Sequence, residues 1–191
     1  MLNTDAAALE ILDSASIDPT TPTHPVAIAR GLLGRPDAVQ PAAWLPVRAC
    51  YIASEGLILV RPGLTPRQLA YLVAHELAEH HLGSYAGRDR ERLANAIGAA
   101  ILLPEPAVRL SLARGRDGVR LAHEGRTTQS IAWLRIAEVT QCPAALVMPG
   151  RVRTTGGRWP RDLWAQATGK RPTGLYRQAI TDCRGRVMVS E

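Results

Sequence analysis

The sequence has few cysteines and no long hydrophobic run, and these two absences exclude several classes of protein. Its three cysteines, Cys50, Cys142 and Cys183, lie far apart and form no C-x-x-C pair. This pattern argues against a disulfide framework or a thiolate zinc site, and it predicts that the cysteines are small buried hydrophobic residues. Apolar runs such as residues 57–60 and 99–103 fall far short of the roughly 20 residues that a membrane span requires.

The N-terminus also lacks the features of a secretory signal. Residues 1–14 are acidic and have neither a basic opening nor a continuous apolar stretch. We therefore predict a cytoplasmic protein with no membrane contact. With 191 residues, of which 46% are hydrophobic, the chain can form one substantial domain with a small appendage.

Positive charge is concentrated in the second part of the chain. The first 108 residues carry 8 basic and 11 acidic side chains, a net charge of −3, whereas residues 109–191 carry 15 basic and 6 acidic side chains, a net charge of +9. A basic region can face nucleic acid or an acidic partner. Its arginines are scattered rather than grouped in a stripe, so direct binding of nucleic acid is weakly indicated and a solvated basic surface is the competing interpretation.

Turn residues and hydrophobic periodicity predict both helices and strands in the first third of the chain. Residues 4–14 and 26–33 are predicted helices, separated by a Pro- and Thr-rich linker that no helix can cross. Residues 47–52 and 57–60 are β-rich and flank the turn sequence ASEG, which predicts a hairpin. One pair of strands is therefore expected before the next helix begins.

A strong helix start follows the predicted hairpin. Thr65 is a predicted N-cap, Pro66 occupies the first helical position, and Gln68 completes a capping box with Thr65. The helix is predicted to end near Leu82, because Gly83 is a typical C-terminal stop. Apolar residues at helical spacing predict that one side of this helix packs against the core.

Further helices are predicted along the rest of the chain, with a hairpin close to its end. The predicted helices are residues 89–103, which Pro104 closes, residues 107–113 and residues 128–139. Residues 140–148 are predicted to form a turn and a short helix. Residues 175–182 and 186–190 flank the sequence CRG and predict the second hairpin.

The stretch HELAEHHLG, residues 75–83, begins like the zinc-protease helix motif His-Glu-x-x-His. Four residues after His75, where the second histidine belongs, the sequence has Glu79. Side chains four apart share one helix face, so His75 and Glu79 can hold one metal ion together. Glu76 lies at the edge of such a site, where a general base can deprotonate water held by the ion. A catalytic zinc needs three protein ligands, and Glu91 on the next helix is the best candidate for the third.

His80 competes with Glu79 for the second ligand position. It lies five residues after His75, about 140° round an ideal helix, and reaches the same ion only if the helix bulges by one residue. Residues 75–80 nevertheless match the His-Glu-x-x-x-His sequence of dipeptidyl peptidase III-type zinc peptidases. The interpretation without a metal is a polar helix face, with Glu91 in a weak ion pair to a neighbouring arginine.

Residues 58–104 taken together resemble the ImmA/IrrE family of metallopeptidase-like proteins. In that family one helix reads roughly A-H-E-x-x-H, and the next begins E-x-x-A-N and continues into an apolar stretch that ends in proline. Ala74, His75 and Glu76 match the first of these helices. The second helix is matched at Glu91, Ala94, Asn95, Ala99, Ala100, Leu102, Leu103 and Pro104.

The resemblance implies a fold of the α+β class with a zincin-like helical core and a small N-terminal β-hairpin or sheet. It places residues 26–125 in the metallopeptidase domain. Residues 1–25 would form an N-terminal helix and linker, and residues 126–191 a basic C-terminal extension with helices and a hairpin. The helix from Thr128, with the turn and short helix predicted after it, loosely resembles a helix-turn-helix; a helical subdomain is the competing interpretation.

The resemblance also implies a ligand set and a role for each member. Two histidines and the glutamate that falls at Glu91 hold the family's metal, and the motif glutamate, here Glu76, is the general base. Glu79 at the second histidine position would bring two negative charges to the ion, weakening its Lewis acidity. Zinc is the predicted ion, with manganese or iron competing better than at a site with two histidines. The choice between Glu79 and His80 stays open.

Members of this family typically cleave helix-turn-helix repressors, often encoded by mobile elements, to switch on stress-response or excision genes. The resemblance therefore implies a zinc-dependent metallopeptidase whose substrate is such a repressor. The alternative is a catalytically impaired relative that keeps the fold and acts as a regulatory module binding a protein or DNA.

Overall fold

The computed structural model describes residues 3–83, 85 and 89–141, together with the backbone of four later strands at residues 144–148, 151–155, 177–181 and 187–190. Cys142 and Cys183 lie outside the described residues. The chain divides into two compact units, Met1–Ala132 and Trp133–Glu191. The predicted boundaries at residues 25 and 125 stay a prediction.

The fold is of the α+β class, as predicted, with helices around a small sheet in the first unit. Its elements in chain order are α1 (Thr4–Ser14), α2 (Pro25–Leu33), β1 (Val39–Pro41), β2 (Ala49–Ile52), β3 (Leu57–Val60), α3 (Pro66–Leu82), α4 (Arg90–Leu102), α5 (Glu105–Ala113) and α6 (Gly118–Glu124). Helix α7 (Gln129–Thr140) crosses the boundary between the two units.

The sheet of the first unit has three strands in the order β1-β3-β2. Strands β2 and β3 pair antiparallel, with Tyr51 opposite Ile58, which confirms the predicted hairpin. Strand β1 was not predicted. It has three residues and pairs in parallel with β3, so its pairing depends on a segment nearly twenty residues away that its own sequence does not specify. In the order β1-β3-β2, strand β2 lies at an edge of the sheet.

Helix α3 begins and ends where the sequence predicts. The Gln68 backbone N–H donates to Thr65 Oγ1 at 3.3 Å, and the Thr65 N–H donates to Gln68 Oε1 at 3.0 Å, which together form the capping box. Gly83 follows the last turn with a φ of 51°, a left-handed value that glycine adopts without a steric penalty. These local bonds fix the register of the helix and therefore the faces on which its polar residues lie.

Helices α3 and α4 pack closely at Gly98, a residue of α4 that has no side chain to separate them. A Cβ atom on Gly98 would be 3.3 Å from the His75 backbone nitrogen and 3.4 Å from the Ala74 carbonyl carbon. Around this contact Leu77, Ile97 and other apolar side chains of both helices are fully buried. The first turn of α4 is thereby held near the polar residues of α3.

The helices after α4 differ from the prediction in their extent. Helix α5 begins at Glu105, two residues earlier than predicted, directly after Pro104. Helix α6 was not predicted. Asp117 is its N-cap, and the Asp117 carboxylate accepts from the Arg120 N–H at 2.9 Å. An N-cap aspartate was therefore the local signal for α6.

The second unit contains a four-stranded antiparallel sheet in the order β5-β4-β6-β7, formed by β4 (Ala144–Met148), β5 (Arg151–Thr155), β6 (Arg177–Thr181) and β7 (Val187–Ser190). Pairing of β6 with β7 confirms the predicted second hairpin. The short helix predicted within residues 140–148 is wrong, because Ala144–Met148 is an inner strand. The second helix of the suggested helix-turn-helix is wrong for the same reason. A five-residue apolar run fits either state, and here two partner strands select the extended one.

Among the described residues, no single helix is both long and apolar enough to cross a membrane. Helices α4 and α5 taken together, with a 45° bend at the break between them, meet those criteria by length and composition alone. Most of the apolar residues of α4 are buried in the core of the first unit.

His24 couples the stability of helix α2 to pH. Its Nδ1 accepts from the Val26 N–H at 3.2 Å as the helix N-cap. Burial lowers the pKa of this imidazole below its ordinary value of 6.5, and the charges of Arg126 and Arg30 lower it further. Below pH 6.5 the unfolded chain therefore takes up the proton before the folded chain does. Stability from this group is present above pH 6.5 and is lost as the pH falls towards the folded pKa.

We expect His24→Asn to reduce this loss of stability, because asparagine can cap the helix but does not titrate. The measurement is urea unfolding of the metal-free protein at pH 7.5 and pH 5.5. The exposed histidine His123 serves as the control, since His123→Asn leaves the cap unchanged. If wild type and His24→Asn lose the same free energy of unfolding on acidification, the coupling through His24 is wrong.

Candidate metal centre

The polar residues of α3 converge at its C-terminal half. One potential ligand atom from each of His75, Glu76 and Glu79 lies within 4.8 Å of the others. The helix is regular, so positions 75 and 79 share a face as the sequence predicts. Three of the five predicted site residues, all on α3, therefore have potential ligand atoms close to one another.

Glu91 reaches this cluster from the first turn of α4. Its Oε2 lies 3.7 Å from His75 Nε2, although the Glu91 side chain is 73% exposed. The close packing at Gly98 brings the two helices near enough for this approach. The ion pair that the sequence suggested between Glu91 and a neighbouring arginine is not seen among the described residues, where Glu91 instead faces His75.

Glu76 is the buried acid of the cluster, with 7% of its surface exposed. Its Oε2 accepts a hydrogen bond from the Tyr51 backbone N–H of strand β2 at 2.8 Å. Burial raises the pKa of Glu76, while this hydrogen bond and the nearby His75 act in the opposite direction. The charges of Glu79 and Glu91 raise it further. A carboxyl group with a raised pKa is suited to both accepting and releasing a proton.

Glu79 has a cationic neighbour that the sequence did not indicate. Its Oε1 lies 3.5 Å from Nε of Arg90, the first residue of α4. The same guanidinium donates to the Glu79 backbone carbonyl at 3.1 Å and to the Gly83 carbonyl, both at the end of α3. Arg90 therefore offsets part of the negative charge that Glu79 brings to the site, and it holds the start of α4 against the end of α3.

His80 faces a different neighbour from His75 and Glu79. Its ring packs against the Tyr51 ring, with centroids 4.6 Å apart and an interplanar angle of 56°. Burial lowers the pKa of His80, and the charge of His81 adds to this effect, so the neutral imidazole is favoured. The structure does not place His80 in the group of ligand atoms that contains His75.

The spacing of the donors is compatible with one metal ion. Two ligands that each lie about 2.1 Å from an ion can be at most about 4.2 Å apart. The 3.7 Å between His75 Nε2 and Glu91 Oε2 is within that limit. Glu79 lies within 4.8 Å of His75 and Glu76, in a group of ligand atoms that does not include Glu91. His75 Nδ1, the ring nitrogen that does not face Glu91, is buried without a hydrogen-bond partner among the described residues. A His/Glu cluster that can hold a metal ion is therefore present.

Cys50 lies near the cluster but is not one of its donors. It is half-buried and free, and burial, followed by the charges of Glu76 and Glu79, raises the pKa of its thiol. The thiol form is thereby favoured. Cys50 is half-buried and not fully buried as predicted.

The sequence missed several residues that shape the site. Tyr51 and Arg90 carry no motif, and their roles depend on contacts with residues 25 and 11 positions away, respectively. Asn95 was noted only as part of the resemblance. A possible signal for Asn95 is its position in the middle of a helix, where asparagine is a poor helix former unless its side chain has another role.

Comparison with known proteins shows the family to which the chain belongs. The sequence model of the IrrE N-terminal-like domain, a peptidase family, matches residues 44–148, which is more than half of the chain. The chain belongs to the IrrE N-terminal-like domain family. This match contains β2, α3 and α4, and therefore every residue of the candidate metal centre in this IrrE-like chain. No curated protein sequence gives a significant match.

A solved structure shares the fold of the IrrE-like chain. It is a Mycobacterium tuberculosis transcriptional regulator that superposes with a TM-score of 0.60 at 16% sequence identity. The similarity covers 81% of the present chain and 56% of the regulator chain. The chain therefore spans little more than half the length of this relative, and at this identity the comparison concerns the fold alone.

Proposed function

We propose that this protein is a metal-dependent peptidase that cleaves a helix-turn-helix transcriptional repressor. The observation that carries the proposal is the convergence of His75, Glu76 and Glu79 within 4.8 Å, with Glu91 at 3.7 Å from His75. Membership of a peptidase family supports the class of reaction. The repressor substrate, like the association of the family with mobile elements, is taken from the resemblance. The shared fold with a transcriptional regulator is consistent with a regulatory setting.

In this proposal His75, Glu79 and Glu91 hold the ion. Zinc is the expected metal, and the two carboxylates also suit manganese or iron. A divalent ion here supplies Lewis acidity towards a peptide carbonyl and makes water more acidic. The Glu76 carboxylate accepts a proton from the attacking water and then donates it to the leaving amine as the peptide bond breaks. The Tyr51 N–H holds the Glu76 carboxylate in place for both transfers.

A second candidate function is a catalytically impaired regulator that keeps this fold. The pairing of Glu79 with Arg90 favours it to some extent, because a ligand engaged in an ion pair is less available to a metal ion. The net charge of +9 on residues 109–191 is compatible with an acidic partner or with DNA. In this case the protein binds its partner and does not cleave it.

We expect His75→Ala, Glu79→Ala and Glu91→Ala each to lose bound metal, because each removes one of three protein ligands. The measurement is elemental analysis after dialysis against trace zinc or manganese, with about one ion per chain in wild type. His80→Ala distinguishes the two candidates for the second ligand and should keep its metal, since His80 packs against Tyr51.

The matched control is His123→Ala, which removes an exposed histidine from α6. Equal metal content in wild type and all variants would contradict the site. Loss of metal from His80→Ala together with retention by Glu79→Ala would assign the second ligand to His80.

A further inference from the structure

Glu91 is an exposed side chain that must nevertheless keep a defined position if it is to bind a metal ion. Its side chain is 73% exposed and lies in the first turn of α4. A free glutamate in such a position samples many rotamers, and ordering it costs side-chain entropy. A group that restricts Glu91 before the metal arrives would therefore strengthen binding.

Asn95 is placed to impose this restriction. It lies one turn after Glu91, and its Nδ2 donates to Glu91 Oε1 at 3.2 Å and to the Glu91 backbone carbonyl at 2.8 Å. The bond to Oε1 leaves Oε2 as the oxygen that faces His75 Nε2 at 3.7 Å. Carboxylate ligands of metals are commonly oriented by such hydrogen bonds to their other oxygen.

Tyr71 and the acceptor oxygens of Glu91 together set the orientation of the Asn95 amide. Its hydroxyl, on helix α3, hydrogen-bonds Asn95 Oδ1 on helix α4. If the amide were rotated by 180°, Oδ1 would face the Glu91 carboxylate and two acceptors would oppose each other. With Oδ1 held by the tyrosine, both protons of Nδ2 point towards Glu91. The Tyr71 ring also lies beside the His75 ring, with centroids 6.4 Å apart.

We propose that Tyr71 and Asn95 are positioning residues that orient Glu91 towards His75 through a directional chain of hydrogen bonds from Tyr71 to Asn95 to Glu91. This inference rests on the proposed metal-binding function. It goes beyond the ligand set, because neither residue offers a ligand to the ion. Its consequence is that metal affinity depends on the amide proton of Asn95 and, through it, on the hydroxyl of Tyr71.

The decisive variant is Asn95→Asp, which keeps the shape of the side chain and an acceptor for Tyr71 but cannot donate to Glu91. We expect the Kd for Zn²⁺, measured by competition with a chromophoric chelator, to rise about 10- to 100-fold, the range found for partners of metal ligands. Tyr71→Phe removes only the hydroxyl and should raise the Kd less, by about three- to tenfold, because the amide remains but is free to rotate.

A double-mutant cycle separates positioning from a structural role. If Tyr71 acts through Asn95, Tyr71→Phe/Asn95→Ala should bind Zn²⁺ within about twofold of Asn95→Ala alone. Tyr85→Phe is the matched control: it removes the hydroxyl of an exposed tyrosine and should bind as wild type does. Circular dichroism of each metal-free variant establishes that the titrated protein is folded.

The outcomes distinguish this inference from the proposed function. If wild type binds Zn²⁺ and Asn95→Asp binds it equally well, the positioning role is wrong while the metal site stands. If Tyr71→Phe weakens binding by the same factor with and without Asn95, the chain of hydrogen bonds is wrong. If wild type binds neither Zn²⁺ nor Mn²⁺, both the proposed function and the positioning role fail.

Discussion

Glu76→Gln is expected to lower the rate of repressor cleavage by about 10²- to 10⁴-fold, the contribution that general acid–base catalysis typically makes. Glutamine has nearly the same shape as glutamate and can still accept the hydrogen bond from the Tyr51 N–H. It cannot take a proton from water. Bound metal should therefore be retained while turnover is lost, a combination that a merely misfolded variant does not produce.

The assay uses a candidate helix-turn-helix repressor from the same genome, with zinc or manganese supplied, and follows the cleaved fragments over time. Glu55→Gln makes the same chemical change at an exposed position and should cleave at the wild-type rate. Equal cleavage by wild type and Glu76→Gln would remove Glu76 from the mechanism. Absence of cleavage by wild type with either metal would instead favour the regulator that binds without cleaving.

Gly98→Leu is expected to destabilise the metal-free protein by about 2 kcal/mol or more, although leucine is the better helix former. Helix propensity alone predicts a gain of roughly 0.8 kcal/mol for replacing a mid-helix glycine. Packing predicts the opposite sign, because a Cβ at this position already lies 3.3 Å from the backbone nitrogen of His75. A leucine side chain would force α4 away from α3 and overpack the buried contact.

Urea unfolding of the metal-free variants at neutral pH measures this effect. Gly98→Ala is the graded control: its single methyl group needs a shift of a few tenths of an ångström, so we expect a change of less than about 1 kcal/mol. Since Glu91 moves with α4, Gly98→Leu should also bind zinc more weakly. A Gly98→Leu protein that is as stable as wild type would show that α3 and α4 do not need this close approach.

Glu79 and Arg90 change the electrostatic expectation for the site. From the sequence, a His, Glu, Glu set carries one more negative charge than the two-histidine, one-glutamate set that the resemblance describes. In the structure the guanidinium of Arg90 lies 3.5 Å from Glu79 and offsets part of that charge. If Glu79 binds the ion, the weakening of Lewis acidity expected from its charge is therefore reduced. The same ion pair makes Glu79 less available as a ligand.

The elements predicted correctly are those whose signals are local. Thr65, Gln68 and Gly83 act on residues within one turn, so both ends of α3 could be read from the sequence. Strand β1 and the strand Ala144–Met148 were missed because each is selected by its partner strands. Helix α6 has a local signal in its N-cap Asp117, although the glycines around it also favour a loop.

For the candidate site, the sequence by itself determined that His75, Glu76 and Glu79 lie within little more than one turn of a capped helix, since helical periodicity is a property of the backbone. It also supplied Glu91 and Asn95 through the motif on the following helix.

Only the tertiary structure decided which groups meet. It brought Glu91 within 3.7 Å of His75, placed the Tyr51 N–H on Glu76 and turned His80 towards the Tyr51 ring. The physical reason is that these contacts join α3 to α4 and to strand β2. They depend on how buried surfaces pack, above all at Gly98, and no periodicity within one segment specifies that packing.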